Sequence, residues 1–144
     1  MNRSYGQPCP IARTMDLIGE RWTLIILREL YTGRTKFTQL RERSPGLPTK
    51  ILSDRLKMLE AEGFVRRQLY GTHPLRAEYL LTEKGLSLAP VIEAIVNWGL
   101  EHTFADQERP SVIDRIRANL VRPGAVGLGI WQTQPLRGDE TAAG

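Results

Sequence analysis

The single cysteine of this chain, Cys9, lies between two prolines in the stretch YGQPCPIARTMD. Pro10 is typical of the first position of a helix, which would place Cys9 at the N-cap, beside unpaired backbone N–H groups. This position favours the thiolate, the form of cysteine that reacts with oxidants and electrophiles. A free cysteine is also often a buried, inert packing residue. The residues around Cys9 therefore leave both a sensor thiol and a core thiol open.

The composition excludes several classes of protein. One cysteine cannot form an internal disulfide, and with two histidines it provides too few ligands for a common zinc site, so we expect no metal. No catalytic arrangement of nucleophile and base and no phosphate-binding glycine loop is present, so we expect neither an enzyme nor a cofactor. No apolar run reaches the roughly 20 residues of a membrane span, and the first residues are not typical of a secretory leader. We therefore expect a cytoplasmic protein.

Positive charge is concentrated in the middle of the chain. Residues 34–76 contain ten lysines and arginines against four acidic residues, a net charge of +6, whereas the whole chain carries +4. A local positive field is typical of a surface that contacts nucleic-acid phosphates. Taken alone, the excess is equally compatible with an ordinary solvated surface.

The apolar spacing predicts the order of the elements. Helices are predicted over residues 10–18, 21–32, 37–43, 48–62 and 82–103, the last with a kink or a restart at Pro90. Two strands, residues 64–70 and 76–81, are predicted on either side of a turn. This order predicts an α+β, mainly α fold of the winged helix-turn-helix type. We expect one domain over residues 1–104 and an extension over 105–144, with a short helix near 111–121 before an irregular tail.

The helix predicted over residues 48–62 has one apolar and one polar side. Leu52, Leu56 and Leu59 share the apolar side. The polar side carries the predicted DNA-contacting residues Thr49, Lys50, Ser53, Asp54 and Lys57. Lysine, serine and threonine bind phosphates and base edges, whereas Asp54 fits only if it accepts from a cytosine amino group or pairs with a lysine. A solvated face is the alternative, but the position after a tight turn and the few acids favour a recognition helix.

The predicted hairpin is also basic. It carries Arg66, Arg67, His73 and Arg76 around its turn. Such a wing can lie along a phosphate backbone or enter a minor groove, so we predict a phosphate contact for Arg76 and a phosphate or minor-groove contact for His73. Lys36, in the same basic segment, completes the predicted DNA-contacting set. An ordinary surface hairpin is the alternative.

Several segments together resemble the HxlR-type winged helix-turn-helix regulators of the MarR-like superfamily. They are CPIARTMDLIGERWTLIILREL, KFTQL, ILSDRLKMLEAEGFVRR and EYLLTEKG, in the family's order and approximate spacing over residues 9–99. The resemblance implies a homodimer that binds a palindromic operator on double-stranded DNA, more often as a repressor than as an activator. Two departures are Pro48, where the family usually has serine, and Glu20, where it usually has glycine.

The resemblance also implies a dimer interface and a sensor. In the family, the dimer is built from the N-terminal helix and the long helix after the wing. The implied interface residues here are Ile11, Met15, Leu88, Val91, Ile92, Ile95, Val96 and Trp98. Several members respond to quinones, aldehydes or oxidants through a cysteine that matches Cys9, which implies switching by thiol modification or by a small ligand. The alternative function is a protein-interaction module without DNA binding, since winged helices also serve as docking domains.

Overall fold

Helices at both ends of the described chain enclose a helix-turn-helix pair and a β-hairpin. The computed structural model describes residues 4–104 of the 144. Within this range the elements are α1 Pro10–Ile18, α2 Thr23–Tyr31, α3 Phe37–Glu42, α4 Thr49–Ala61, β1 Val65–Thr72, β2 Leu75–Leu81, α5 Glu83–Leu86 and α6 Ala89–His102. This is the order that the sequence predicts for a winged helix-turn-helix. The predicted extension over residues 105–144, with its helix at 111–121, lies outside the described residues.

The first helix starts where the sequence predicts. Cys9 is the N-cap of α1 in an extended conformation, and its carbonyl oxygen accepts from the Arg13 N–H at 2.9 Å. The Cys9 side chain accepts no hydrogen bond from the helix. The chain before α1 is fixed by Asp16, whose carboxylate accepts from the Ser4 hydroxyl at 3.1 Å and from the Tyr5 N–H at 3.0 Å. The segment that leads to Cys9 is therefore held against α1.

Helix α4 begins one residue later than the sequence predicts. Pro48 is its N-cap, with φ −63° and ψ 139°, and Thr49 is its first residue. The Pro48 carbonyl accepts from the Leu52 N–H at 3.0 Å, which starts the hydrogen-bond ladder of the helix. The preceding turn passes through Gly46, whose φ of +84° is costly for any residue with a Cβ. The prediction that Pro48 is the first residue of the helix is wrong. Pro48 is the N-cap, and it contributes only its carbonyl oxygen to the helical hydrogen bonds.

Strands β1 and β2 form an antiparallel wing. Val65 lies opposite Leu81 and Leu69 opposite Ala77, with an irregularity in register next to Tyr70. The hairpin is longer than predicted because the residues that flank its tip also pair, so the turn is reduced to residues 73–74. Residue 36 forms a bridge with Glu78, which attaches the segment before α3 to the edge of the wing.

The helix predicted after the wing is two helices. Thr82 caps α5, and its hydroxyl oxygen accepts from the Gly85 N–H at 3.2 Å. A new helix, α6, begins at Ala89 with Pro90 in its first turn. The predicted interruption at Pro90 is therefore a restart, since proline is well suited to a first turn and poorly suited to a helix interior.

One core holds these elements together. Its fully buried members include Ile26, Leu27, Leu30, Tyr31, Leu40, Leu52, Leu56 and Leu59. The Tyr31 hydroxyl donates to the Gly85 carbonyl oxygen, which connects α2 to α5. Gly85 must lack a side chain, because a Cβ there would overlap the Phe64 carbonyl oxygen. The core thus fixes α2 and α5, which lie far apart in the sequence, relative to each other.

Candidate nucleic-acid interface

Helix α4 presents its polar side to solvent. Leu52, Leu56 and Leu59 have no exposed surface, so the rotation of the helix about its axis is set by the core. On the opposite side Thr49, Lys50 and Lys57 are exposed, and Ser53 and Asp54 are half-buried. The five residues predicted from the sequence therefore remain accessible in part or in full. Thr49 and Lys50 are exposed in the first turn of the helix.

The wing carries several exposed basic residues. Arg66, Arg67, His73 and Arg76 are all exposed. Arg76 pairs with Gly71 across the hairpin, and its Cδ would lie 3.5 Å from a Cβ added at that glycine, so its stem lies over the glycine backbone. These residues are distributed from the base of the wing to its tip. Their side chains offer several N–H donors to a polyanion.

Lys36 lies beside the middle of the wing, where it bridges Glu78. Its amino nitrogen is 5.2 Å from the centroid of the Tyr70 ring, within the range of a cation–π contact. The neighbouring Thr35 hydroxyl donates to Glu78 Oε2 at 3.0 Å, and the Tyr79 N–H donates to the Thr35 carbonyl at 2.8 Å. These bonds fix the backbone that carries Lys36 against the wing. Of the predicted DNA-contacting residues, Lys36 therefore belongs with the wing and not with α4.

Arg34 does not contribute to the positive surface, although the charge of the segment includes it. The side chain is buried, and its guanidinium lies 3.5 Å from Glu29 Oε2 and donates to the Thr32 hydroxyl at 3.2 Å. Glu29 also pairs with Arg28 at 2.9 Å. The predicted +6 therefore overstates the exposed charge, because a carboxylate outside residues 34–76 compensates one of its cations.

Exposed apolar side chains occur on α1 and α6. Ile11 is 74% exposed, Ile95 48% and Trp98 62%, and Met15 and Val91 are also exposed. Residues of α6 line an open apolar groove: Pro90, Val91, Ala94, Ile95 and Trp98.

Three of the predicted interface residues belong to the protomer's own core. Ile92 is buried, with 6% of its surface exposed, and Leu88 and Val96 pack against the same cluster. Ile92 therefore stabilises the protomer and is not available to a partner. The other predicted residues of α6, Val91, Ile95 and Trp98, remain exposed.

Cys9 is partly accessible, between buried and exposed. It carries no cap hydrogen bond, so its sulfur is not engaged by the start of α1. Among residues 4–104, no three histidine, cysteine, aspartate or glutamate side chains are arranged to hold a metal ion. In the same range, no helix is long and apolar enough to cross a membrane.

Glu20 has a local role that the sequence interpretation missed. Its Oε2 accepts from the Trp22 N–H at 2.9 Å and from the Thr23 hydroxyl at 3.1 Å. Both donors lie at the start of α2, where backbone N–H groups lack partners within the helix. Acidic residues close to the start of a helix are a recognisable capping signal, and the sequence interpretation did not use this one, which lies three residues before Thr23.

Comparison with known proteins identifies the family. Residues 17–107 match the family described as HxlR-like helix-turn-helix, and the chain belongs to this family. A helix-turn-helix transcriptional regulator of Bacillus subtilis, YvaP, is 38% identical over 102 residues, covering 70% of this chain and 93% of YvaP. The chain is therefore a transcriptional regulator of the helix-turn-helix type. The family match begins after Cys9.

Solved structures agree with this assignment. The redox regulator HypR in its reduced form is 33% identical, with a TM-score of 0.61 over 65% of this chain and 92% of HypR. The reduced form of the transcriptional regulator YodB from Bacillus subtilis is 33% identical, with a TM-score of 0.57 over 67% of this chain and 96% of YodB. These similarities confirm the mainly α winged helix-turn-helix fold.

Proposed function

We propose that this regulator is a cytoplasmic homodimer that binds a palindromic operator and represses transcription. The observation that carries the proposal is the start of α4, where Thr49 and Lys50 are exposed while the leucines of the same helix are fully buried. A helix held by its apolar side and polar at its first turn fits the recognition helix of a helix-turn-helix protein, which enters the major groove with its N-terminal residues. We assign it no enzymatic activity and no cofactor.

The proposed contacts come from α4 and from the wing. Lys50 and Ser53 of α4 would reach base edges, and Thr49 and Lys57 would bind base edges or phosphates. Asp54 is half-buried on the same helix and is suited to accept from a cytosine amino group. The wing would place Arg76 on phosphates and His73 on phosphates or in the minor groove, with Lys36 beside its middle. The contacts from α4 would provide sequence specificity, and the contacts from the wing would provide most of the affinity.

The homodimer is supported by the exposed apolar residues of α1 and α6. Ile11 and Met15 on α1 and Val91, Ile95 and Trp98 on α6 are the apolar residues that a second copy would cover. Two-fold symmetry would place two recognition helices about 34 Å apart, one turn of the duplex, which requires a palindromic site.

DNA binding can be tested directly against the docking-module alternative. Duplexes selected by the protein from a random pool should share an inverted repeat, and binding to them should weaken steeply as salt rises. A protein-interaction module would retain no duplex even at low salt. Enrichment of single half-sites without an inverted repeat would contradict the homodimer and leave DNA binding intact.

Thiol control through Cys9 is the second part of the proposal. HypR is described as a redox regulator, and Cys9 is partly accessible in this protein. If two Cys9 thiols meet in the dimer, diamide would take two protons and two electrons from them, forming one intersubunit disulfide and the reduced hydrazine. A quinone would instead add to a single thiolate. Either change beside α1 would alter the spacing of the recognition helices.

The variant Cys9→Ser tests this switch. Diamide or a quinone should weaken operator binding by the wild type and leave binding by Cys9→Ser unchanged. Equal affinities of both proteins with and without either reagent would exclude thiol control at this position, while the DNA-binding proposal would stand.

A further inference from the structure

The turn that leads into α4 contacts the start of α2. A Cβ added at Gly46 would lie 3.9 Å from Trp22 Cη2, so the rim of the indole ring rests against this turn. Gly46 precedes Thr49, the first residue of α4, by three positions. The start of α2 therefore lies beside the start of α4, which we propose enters the major groove.

Arg21 is held at this junction. Its guanidinium carbon lies 5.3 Å from the centroid of the Trp22 ring, and the side chain is exposed whereas Trp22 is half-buried. A guanidinium that stacks on an indole ring is restrained in position and keeps its N–H groups available, and its planar fork matches a phosphate. Among residues 4–104 no ion pair joins Arg21 to a carboxylate.

The adjacent carboxylate is engaged elsewhere. Glu20 accepts from the Trp22 N–H and the Thr23 hydroxyl, so its charge is used to cap α2. Arg41 and Arg43 at the end of α3, which precede the turn in the chain, are exposed, and so is Glu42 between them. These three residues together carry one net positive charge, which favours a phosphate contact.

We propose that Arg21 binds a backbone phosphate of the DNA next to the point where α4 enters the groove, with Trp22 as its positioning residue. This inference rests on the proposed DNA binding and extends it to a residue outside the helix-turn-helix and the wing. A phosphate contact carries no base information, so Arg21 contributes to affinity on every duplex and does not set the sequence preference.

The test compares the wild type with Arg21→Gln and Arg21→Lys. Dissociation constants are measured on a selected operator duplex and on a mixed-sequence duplex between about 50 mM and about 200 mM salt. Loss of one phosphate contact should lower the slope of log affinity against log salt by about 0.9, so that Arg21→Gln loses about 3.5-fold less affinity over this range. Arg21→Lys should keep the wild-type slope because it keeps the charge. Arg13→Gln, which removes an exposed arginine of α1, is the matched control and should also keep it.

Two further readouts separate a contact from a structural effect. Arg21→Gln should weaken binding to both duplexes by the same factor. Its thermal unfolding midpoint should equal that of the wild type because the side chain is exposed. Ethylation interference should identify a phosphate whose modification weakens DNA binding by the wild type and has no effect on DNA binding by Arg21→Gln. A wild-type slope for Arg21→Gln, with a wild type that binds DNA, would overturn this inference alone. Failure of the wild type to bind any duplex would overturn it together with the proposed function.

Discussion

Helices α4 and α6 are anchored in the same core but present opposite chemistry to the outside. Helix α4 buries Leu56 completely and exposes Lys50 at its start. Helix α6 buries Ile92 and exposes Trp98 to 62% of its surface. Their inner sides are alike, so the different functions that we propose for them rest on the outer sides.

The difference indicates which outer side would gain free energy from being covered. Exposed lysine and threonine are well solvated, so leaving the outer side of α4 in water has little free-energy cost. Exposed apolar surface costs about 25 cal/mol for each Å² left in water, so the outer side of α6 gains from being covered. Each prediction below changes one side of one helix.

The largest expected effect comes from the shared inner side. Leu56→Ala should lower the free energy of unfolding by about 3 kcal/mol, because it removes buried methyl groups and leaves a cavity. The matched control Ile95→Ala, on a residue that is 48% exposed, should cost less than about 1 kcal/mol in the protomer. Urea unfolding at low protein concentration measures both. Equal losses would mean that the inner and outer sides are not as different as the structure indicates.

The next effect concerns the outer side of α6. Trp98→Asp should weaken dimerisation by about 100-fold or more, because it places a charge where a large aromatic anchor would be covered. Sedimentation equilibrium measures the change, and circular dichroism should show unchanged helix content. A variant that sediments as the wild type does would contradict a dimer interface that covers Trp98.

The outer side of α4 should respond in DNA binding alone. Lys50→Ala should weaken operator binding by about 1–3 kcal/mol and reduce discrimination between operator and mixed-sequence duplexes, because a base contact is lost. Lys57→Ala, two turns further from the start of the helix, should have a smaller effect. Dimerisation should not change in either variant. A larger loss for Lys57→Ala would indicate that α4 lies along the duplex instead of entering with its first turn.

The smallest effect concerns the core that anchors both helices, where the Tyr31 hydroxyl of α2 donates to the Gly85 carbonyl of α5. Burial raises the pKa of the Tyr31 hydroxyl above its usual range. The unfolded chain therefore releases this proton near pH 10 while the folded chain retains it, so the stabilisation is complete below about pH 10 and decreases above it.

Tyr31→Phe checks this sign. At neutral pH the variant should be less stable by about 1 kcal/mol, since the Gly85 carbonyl loses its donor. Between pH 9 and pH 11, roughly the range in which tyrosine titrates, the variant should lose less stability than the wild type. Parallel losses in urea unfolding would contradict a buried, protonated Tyr31.

Much of the fold was predictable because its signals are local. Pro10 marked the start of α1, and the spacing of Leu52, Leu56 and Leu59 identified the inner side of α4. The predictions that were wrong or incomplete depended on residues distant in sequence or on exact helix ends. Arg34 counted as a surface cation until the structure placed Glu29 beside it.

The candidate site was predicted to a similar extent. The polar residues of α4 and the wing arginines are accessible, as the pattern indicated. No pattern in the sequence separates Ile92, which belongs to the core, from Ile95 on the same helix, because both are apolar at helical spacing. The contact between Trp22 and the turn at Gly46 likewise joins residues 24 positions apart, which no local rule relates.

The sequence by itself determined the order of helices and strands, the inner side of α4 and the membership of a regulator family, because periodicity, capping and family motifs are written in neighbouring residues. The tertiary structure alone decided which charges reach the surface, which apolar residues of α6 face outward and which aromatic ring contacts the turn before α4. Burial and charge compensation depend on what packs against a residue, and those neighbours come from other parts of the chain.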